Sequence, residues 1–415
     1  MNQECFKLNC HSVPMHWNYR AEKTNDICRE YNQSKFFFFK LLSKFINCQR
    51  FYTILLLSLS IQTLGFTQNF WDDKDIIDSL KTGIHATYDF NFKKAEVIRD
   101  CIQTKYPMHP ASLLYEAIVM YWEDYPLLAD SEKGKQLETL LLQSIAGAET
   151  ELQKMPDHQL IRFFAMMPRL MLIEYYADNG LTIRSVPHIT SIYKSIVSGF
   201  EMGTTTPEFY FTTGLYNYYR EAYPESNPFY KPFVCFFPDG NKTEGLNELY
   251  KCWKLSDFVG PEAMSFLSYI YINFETDYTK GIKYTRELTI EYPNNPLFAE
   301  HYIQLLLLNK QYVTASEVLT KIRNNNKLSP YFRITASIYE AIICEHRHTD
   351  LAPVEETYHS AINSIKNYGS FSRRYLAYAY FGLSRVYAQK GLNEQSKHYK
   401  LLAEKTAQYP HVNFN

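Results

Sequence analysis

Large apolar residues recur at three- and four-residue spacings along most of the chain, the period of a helix that buries one face. Near the C-terminus Tyr380, Leu383 and Tyr387 share one helical face, Gly391 falls where that helix should stop, and a second helix runs through Ser396 to a closing Tyr409-Pro410. Ser384 and Ser396 are small enough to let the two helices approach closely, and Gly391 suits the left-handed residue that ends a helix. Leu160 to Tyr176 is a long amphipathic stretch that breaks at Asp178-Asn179-Gly180, and Ile334 to Tyr368 keeps the apolar period. The pattern predicts helices throughout and no sheet.

The helices are also punctuated. An aromatic-x-x-small tetrad recurs as Phe92-Lys93-Lys94-Ala95, Tyr278-Thr279-Lys280-Gly281 and Tyr312-Val313-Thr314-Ala315, the last two 34 residues apart. A unit of that length is one helix pair, which cannot bury its apolar face alone and must stack on its neighbours. Phe92 is as far from Tyr106-Pro107 as Tyr278 is from Tyr292-Pro293, and Pro110 and Pro296 follow in register. Gly83 stands in the first helix of the N-terminal unit, and Leu267-Ser268-x-x-Tyr271 in that of the central one. The unit from Tyr380 to Pro410 resembles the tetratricopeptide repeat, with Ser replacing its usual Gly and Ala. The resemblance implies an all-α, right-handed α-α superhelix, a helical-repeat solenoid of six to eight helix pairs over Gln68 to Asn415.

One pair departs from the pattern. Gly214 and Gly245 occupy the small-residue positions of a first and a second helix but stand 31 residues apart, where an unbroken repeat needs about a dozen. An insertion over 223–241 therefore separates the two helices. Its four prolines resist helix, and its aromatics Phe229, Tyr230, Phe233, Phe236 and Phe237 could plug the array or bind a partner. Asp239-Gly240 reads as a turn into the next helix, capped by Asn241 or Thr243.

Charge distribution changes the picture at the N-terminus. Residues 1–50 carry eight Lys or Arg against four Asp or Glu, and residues 51–70 carry neither. A basic flank with Lys40, Lys44 and Arg50, followed by an apolar core over 51–67, has the form of a secretory leader cut after Thr67. The fifty residues before it fit a translation start assigned too early, the physiological start falling near Leu41 or Leu42. An uncleaved anchor is the rival reading, diluted by Thr53, Ser58, Ser60, Gln62 and Thr63. An exported protein, periplasmic or associated with the cell envelope, is expected. Beyond Phe70 there remain 35 basic and 40 acidic residues, so the body lacks the basic excess of nucleic-acid binding. Of its four cysteines, Cys101, Cys235, Cys252 and Cys344, an oxidising compartment permits three full pairings; buried free thiols are the expected state.

Candidate chemistry is sparse. Cys344-Glu345-His346-Arg347-His348 contains ligand types, but on a helix Cys344 and His348 share a face that His346 leaves, so cationic groups closing a helix C-terminus are expected instead. No nucleophile elbow, phosphate loop or metalloprotease motif is present, and neither a cofactor, a metal nor a catalytic role is expected. In tetratricopeptide arrays the inward face of each first helix is the usual contact surface, and registering on the small residues places Tyr218, Tyr269, Gln304 and Arg385 there. The expected function is a scaffold that holds a protein or peptide. A glycan- or nutrient-binding accessory protein is the alternative, and a helical-toroid enzyme, which would need paired carboxylates meeting in the concavity, is the third.

Overall fold

The computed structural model describes residues 69–202, 205–226, 238–326, 328–347 and 350–415. The leader, its apolar core over 51–67 and the start near Leu41 lie outside the described residues, as do Phe229, Tyr230, Phe233, Cys235, Phe236 and Phe237 of the insertion.

After a short 3-10 turn at Phe70–Asp72, sixteen α-helices follow in order among the described residues. They are α1 Lys74–Tyr88, α2 Phe92–Lys105, α3 Pro110–Glu123, α4 Glu132–Lys154, α5 Gln159–Asp178, α6 Thr182–Met202, α7 Phe209–Ser226 and α8 Lys242–Leu255. The second half comprises α9 Gly260–Ile270, α10 Tyr278–Glu291, α11 Pro296–Leu308, α12 Tyr312–Arg323, α13 Pro330–His346, α14 Leu351–Ile365, α15 Arg373–Gln389 and α16 Asn393–Thr406. A π-helical turn at Tyr271–Glu275 extends α9, and a 3-10 segment at Lys366–Ser372 leads into α15. No strand occurs among the described residues. Each odd-numbered helix packs on the even-numbered helix that follows, and each pair stacks on the next. The result is a right-handed α-α superhelix of eight pairs.

The turns inside the pairs share one chemistry. In five of them a left-handed residue, Phe90, Gly180, Thr276, Lys310 or Gly391, stands two positions before the second helix begins. In four of these the next N–H donates back to the carbonyl five residues upstream: Asn91 to Ala86, Leu181 to Tyr176, Gln311 to Leu306 and Leu392 to Tyr387. That bond satisfies carbonyls the helix end would leave open. The aromatic-x-x-small tetrads then open α2, α10 and α12, with Ala95, Gly281 and Ala315 buried against the first helix. Tyr106 and Tyr292 close α2 and α10, and Pro110 and Pro296 open α3 and α11, where a missing N–H costs nothing.

Small residues set the distance between paired helices. A Cβ on Gly214 would lie 3.1 Å from the Gly245 carbonyl oxygen, and one on Gly245 would lie 2.6 Å from the Tyr218 nitrogen. The two glycines therefore face each other across α7 and α8, as their repeat register requires despite the insertion. Asn241 caps α8 by accepting from the Glu244 N–H at 3.0 Å. In the last pair the Ser384 hydroxyl donates to the Ser396 carbonyl at 2.9 Å.

The inner side of the array is not an open groove. Tyr125 stacks on Phe332 with centroids 5.7 Å apart and meets Tyr331 and Phe371 edge-on. Asn295 Nδ2 donates to the Tyr88 carbonyl at 2.8 Å, and the Asn294 backbone N–H donates to Asp89 Oδ1 at 3.2 Å. Helices more than two hundred residues apart in sequence thus meet across the inside of the superhelix.

Candidate functional site

The first-helix positions come from helices spaced closely enough that they pack on one another. Tyr218, on α7, is fully buried and its hydroxyl donates to Glu275 Oε1 at 2.7 Å. Gln304, on α11, is 1% exposed; its Nε2 donates to the Tyr339 hydroxyl at 2.6 Å. Arg385, on α15, pairs with Glu345 of α13, which also accepts from the Tyr358 hydroxyl at 2.6 Å. Tyr218 and Gln304 are spent inside the array, and Arg385 is half-buried against Glu345 with its Nη2 left without a partner. Tyr269, on α9, is likewise half-buried. Its hydroxyl donates to that of Tyr409 at 3.0 Å, and the Arg374 guanidinium lies 5.7 Å from its ring centre.

Around Tyr269 the inner side carries aromatics and charge. Tyr219 and Tyr223 stack at 4.8 Å, and Phe274, placed by the π-helical turn, meets Tyr219 at 5.6 Å and Tyr409 at 5.4 Å. Deeper in, Glu174 and Asp178 of α5, Glu262 of α9 and Glu300 of α11 bring carboxyls to the same interior. Tyr121 donates to Asp178 at 2.9 Å and Tyr88 to Glu262 at 3.2 Å. Burial raises all four above the ordinary carboxyl range, Glu262 and Glu300 to about 7 and Asp178 to about 6. Hydroxyl donors Thr335 and Tyr375 act against that rise at Glu300. Near neutral pH such a carboxyl donates as well as accepts hydrogen bonds.

Two groups in this interior were not singled out from the sequence. Arg374 has no carboxylate within ion-pair distance among the described residues, although its charge acts on Asp178 and Glu300. His301 is 5% exposed and its Nδ1 has no hydrogen-bond partner; burial, then the Arg374 charge, lowers its pKa to about 3. A signal existed in α11, which reads Pro-Leu-Phe-Ala-Glu-His-Tyr-Ile-Gln-Leu-Leu-Leu-Leu. Glu300, His301 and Gln304 are polar residues in a helix otherwise suited to full burial, and buried polar groups persist where something satisfies them.

The outer surface carries a second feature. On α6, Ile183 is 88% exposed, Val186 56%, Ile189 48%, Val197 37% and Phe200 41%. Their spacing puts them on one face, while Ser185, Ile192 and Gly199 turn inward. No Asp or Glu occurs from Thr182 to Gly199. Phe200 meets Tyr216 at 5.6 Å, and the Tyr216 hydroxyl donates to the Pro238 carbonyl at 2.7 Å, so the insertion rejoins the array beside this stripe.

At the other candidate motif, His346 ends α13, with Nδ1 2.8 Å from the Ile342 carbonyl and its ring stacked on Tyr312. His348 lies outside the described residues. Among the described residues no three His, Cys, Asp or Glu side chains converge on a metal position, and Cys101 and Cys252 are free thiols. No described helix is long and apolar enough to cross a membrane. No protein-family model matches the chain, and no curated protein is significantly similar to it.

Proposed function

We propose that the chain is an exported, non-catalytic binding protein of tetratricopeptide type that holds another protein in the cell envelope. The observation that carries this reading is the exposed apolar stripe of Ile183, Val186, Ile189, Val197 and Phe200 on α6. A contiguous apolar face of that kind is costly in water and marks an interaction surface. The partner that suits it is a protein presenting an apolar helix or strand without basic groups, because the stripe offers no acidic group to pair with them. The charge-free leader core and its basic flank support export.

The test compares the wild-type chain with the double variant Ile189→Glu, Val197→Glu in pull-downs from solubilised envelope. Substitutions at such exposed positions should shift folding stability by no more than about 0.5 kcal/mol. The reading requires a stoichiometric complex with one protein, lost in the double variant while the helical circular dichroism stays unchanged. Recovery of the same proteins by both forms, or of none by either, would overturn it.

A further inference from the structure

The segment that follows α16 turns back across the inside of the superhelix. Ala407 leaves the helix in an extended conformation, and Arg373 Nε holds the Thr406 carbonyl at 2.8 Å. Beyond it Val412 and Phe414 are buried while His411 and Asn415 stay exposed, the alternation of an extended segment laid on a surface. The Tyr269 hydroxyl donates to that of Tyr409 at 3.0 Å, and the Tyr409 ring meets Phe274 at 5.4 Å. Phe414 meets Tyr378 edge-on at 4.9 Å, and the Asn413 carbonyl accepts from Arg385 Nη1. Tyr269 lies on α9, Phe274 on the π-helical turn after it, and Tyr378 and Arg385 on α15. This strap therefore bridges the fifth pair and the eighth across their inner side.

The strap is held by side chains, and its fit is imperfect. Its backbone bonds are local, from the Ala407 N–H to the Ala403 carbonyl and from the Val412 N–H to the Tyr409 carbonyl. Phe414 is left-handed at φ 58°, a conformation that bulky residues rarely adopt. Arg385 Nη2, on the guanidinium that grips Asn413, is buried without a partner. A surface that takes up an extended segment through alternate apolar anchors can take up another segment with the same anchors, and one free of that strain replaces it at a gain. We propose that the strap is a built-in competitor for a docking trough lined by Tyr269, Phe274, Tyr378 and Arg385, and that the trough's other occupant is an extended segment of a partner protein with an aliphatic and an aromatic residue two positions apart. Tethered through α16, the strap competes at an effective concentration of about a millimolar, which closes the trough to weakly bound segments. The trough is separate from the α6 surface, and each can fail without the other.

The experiment titrates a fluorescein-labelled peptide of residues 407–415 into the full chain and into its double variant Val412→Ser, Phe414→Ser, reading anisotropy. The variant, whose own strap has lost its anchors, should bind the peptide at least tenfold more tightly than the wild type while its helical circular dichroism is unchanged, since a site open for only a fraction of the time binds more weakly by that fraction. A peptide that keeps Tyr409, Val412 and Phe414 with alanine elsewhere should bind comparably, and one carrying Val412→Asp and Phe414→Asp should not bind. Adding Tyr269→Ala to the double variant should weaken binding at least fivefold, which places the peptide in the trough. A protease recognition sequence inserted between Ala407 and Gln408 gives a second route, because the strap is then cut only after the chain has folded around it. The cut chain should keep its cooperative melt and exchange its strap for the labelled peptide. The proposal is overturned if the folded double variant does not bind the peptide, if the wild type binds it as tightly, if the aspartate peptide binds equally well, or if cutting abolishes the cooperative melt, which would make the strap a fixed part of the array.

Discussion

Single residues in this protein do two opposite kinds of work, admitting close approach and tolerating strain. Lys310 is exposed and left-handed at φ 58°, a conformation that costs a residue with a Cβ about 1–2 kcal/mol. Lys310→Gly should therefore stabilise the chain by about 0.5–1 kcal/mol after the entropy of the added glycine is charged against it. Urea denaturation would read this as a higher midpoint, and an unchanged or lower midpoint would mean that the lysine stem contributes packing. Gly245 lies at the other extreme. A methyl there would press on the backbone of Tyr218 and Gly214, where neither atom can rotate away, so Gly245→Ala should cost about 1–3 kcal/mol. Loss of less than about 0.5 kcal/mol in the same assay would show that α7 and α8 can part cheaply. Only one of the two was legible in sequence: Gly245 by its register with Gly214, whereas nothing about lysine announces the left-handed turn at Lys310.

At the scale of elements the repeat punctuation carried far. The tetrads marked the starts of α2, α10 and α12, the Tyr-Pro steps marked the ends of α2 and α10, and Pro110 and Pro296 marked the next starts. These are local effects of backbone stereochemistry and capping, so local sequence contains them. The faces of the helices were less legible. Tyr218, Gln304 and Arg385 have the right register for an inner surface, yet their helices lie so close that the register positions them in contacts between neighbours. On α6 the apolar period is present but does not say which of two apolar arcs is covered. Ser185 and Gly199, on either side of the buried Ile192, are slim enough for α6 to approach its neighbours, as at Gly199, where a Cβ would lie 2.9 Å from Phe209. The bulkier stripe is left outside.

For the whole molecule, the contacts that join distant helices through the interior are its most conditional feature. Glu300 of α11 holds Thr335 of α13 and Tyr375 of α15, and burial lifts its pKa from 4.5 to about 7. The native state therefore keeps a proton that the unfolded chain releases. Stability from this group is complete below pH 4.5 and declines as the pH rises toward 7, at up to about 1.4 kcal/mol per pH unit. Urea unfolding between pH 5 and 8 should show the decline, and Glu300→Gln should flatten it. An equal slope in that variant would assign the effect to other interior carboxyls, Asp178 and Glu262 first. Those carboxyls, Arg374 and His301 come from α5, α9, α11 and α15, and no spacing in the chain connects them. By itself the sequence determined the helical class, the pairing of helices and their turns, because these depend on residues within one or two turns of each other, whereas α7 runs on through Pro224 to Ser226, past the expected start of the insertion at 223. Only the tertiary structure decided that the superhelix winds tightly enough to fill its inner side and which residues are spent there. Those outcomes depend on how small crossing angles and close approaches add up over eight pairs, a sum that no single repeat contains.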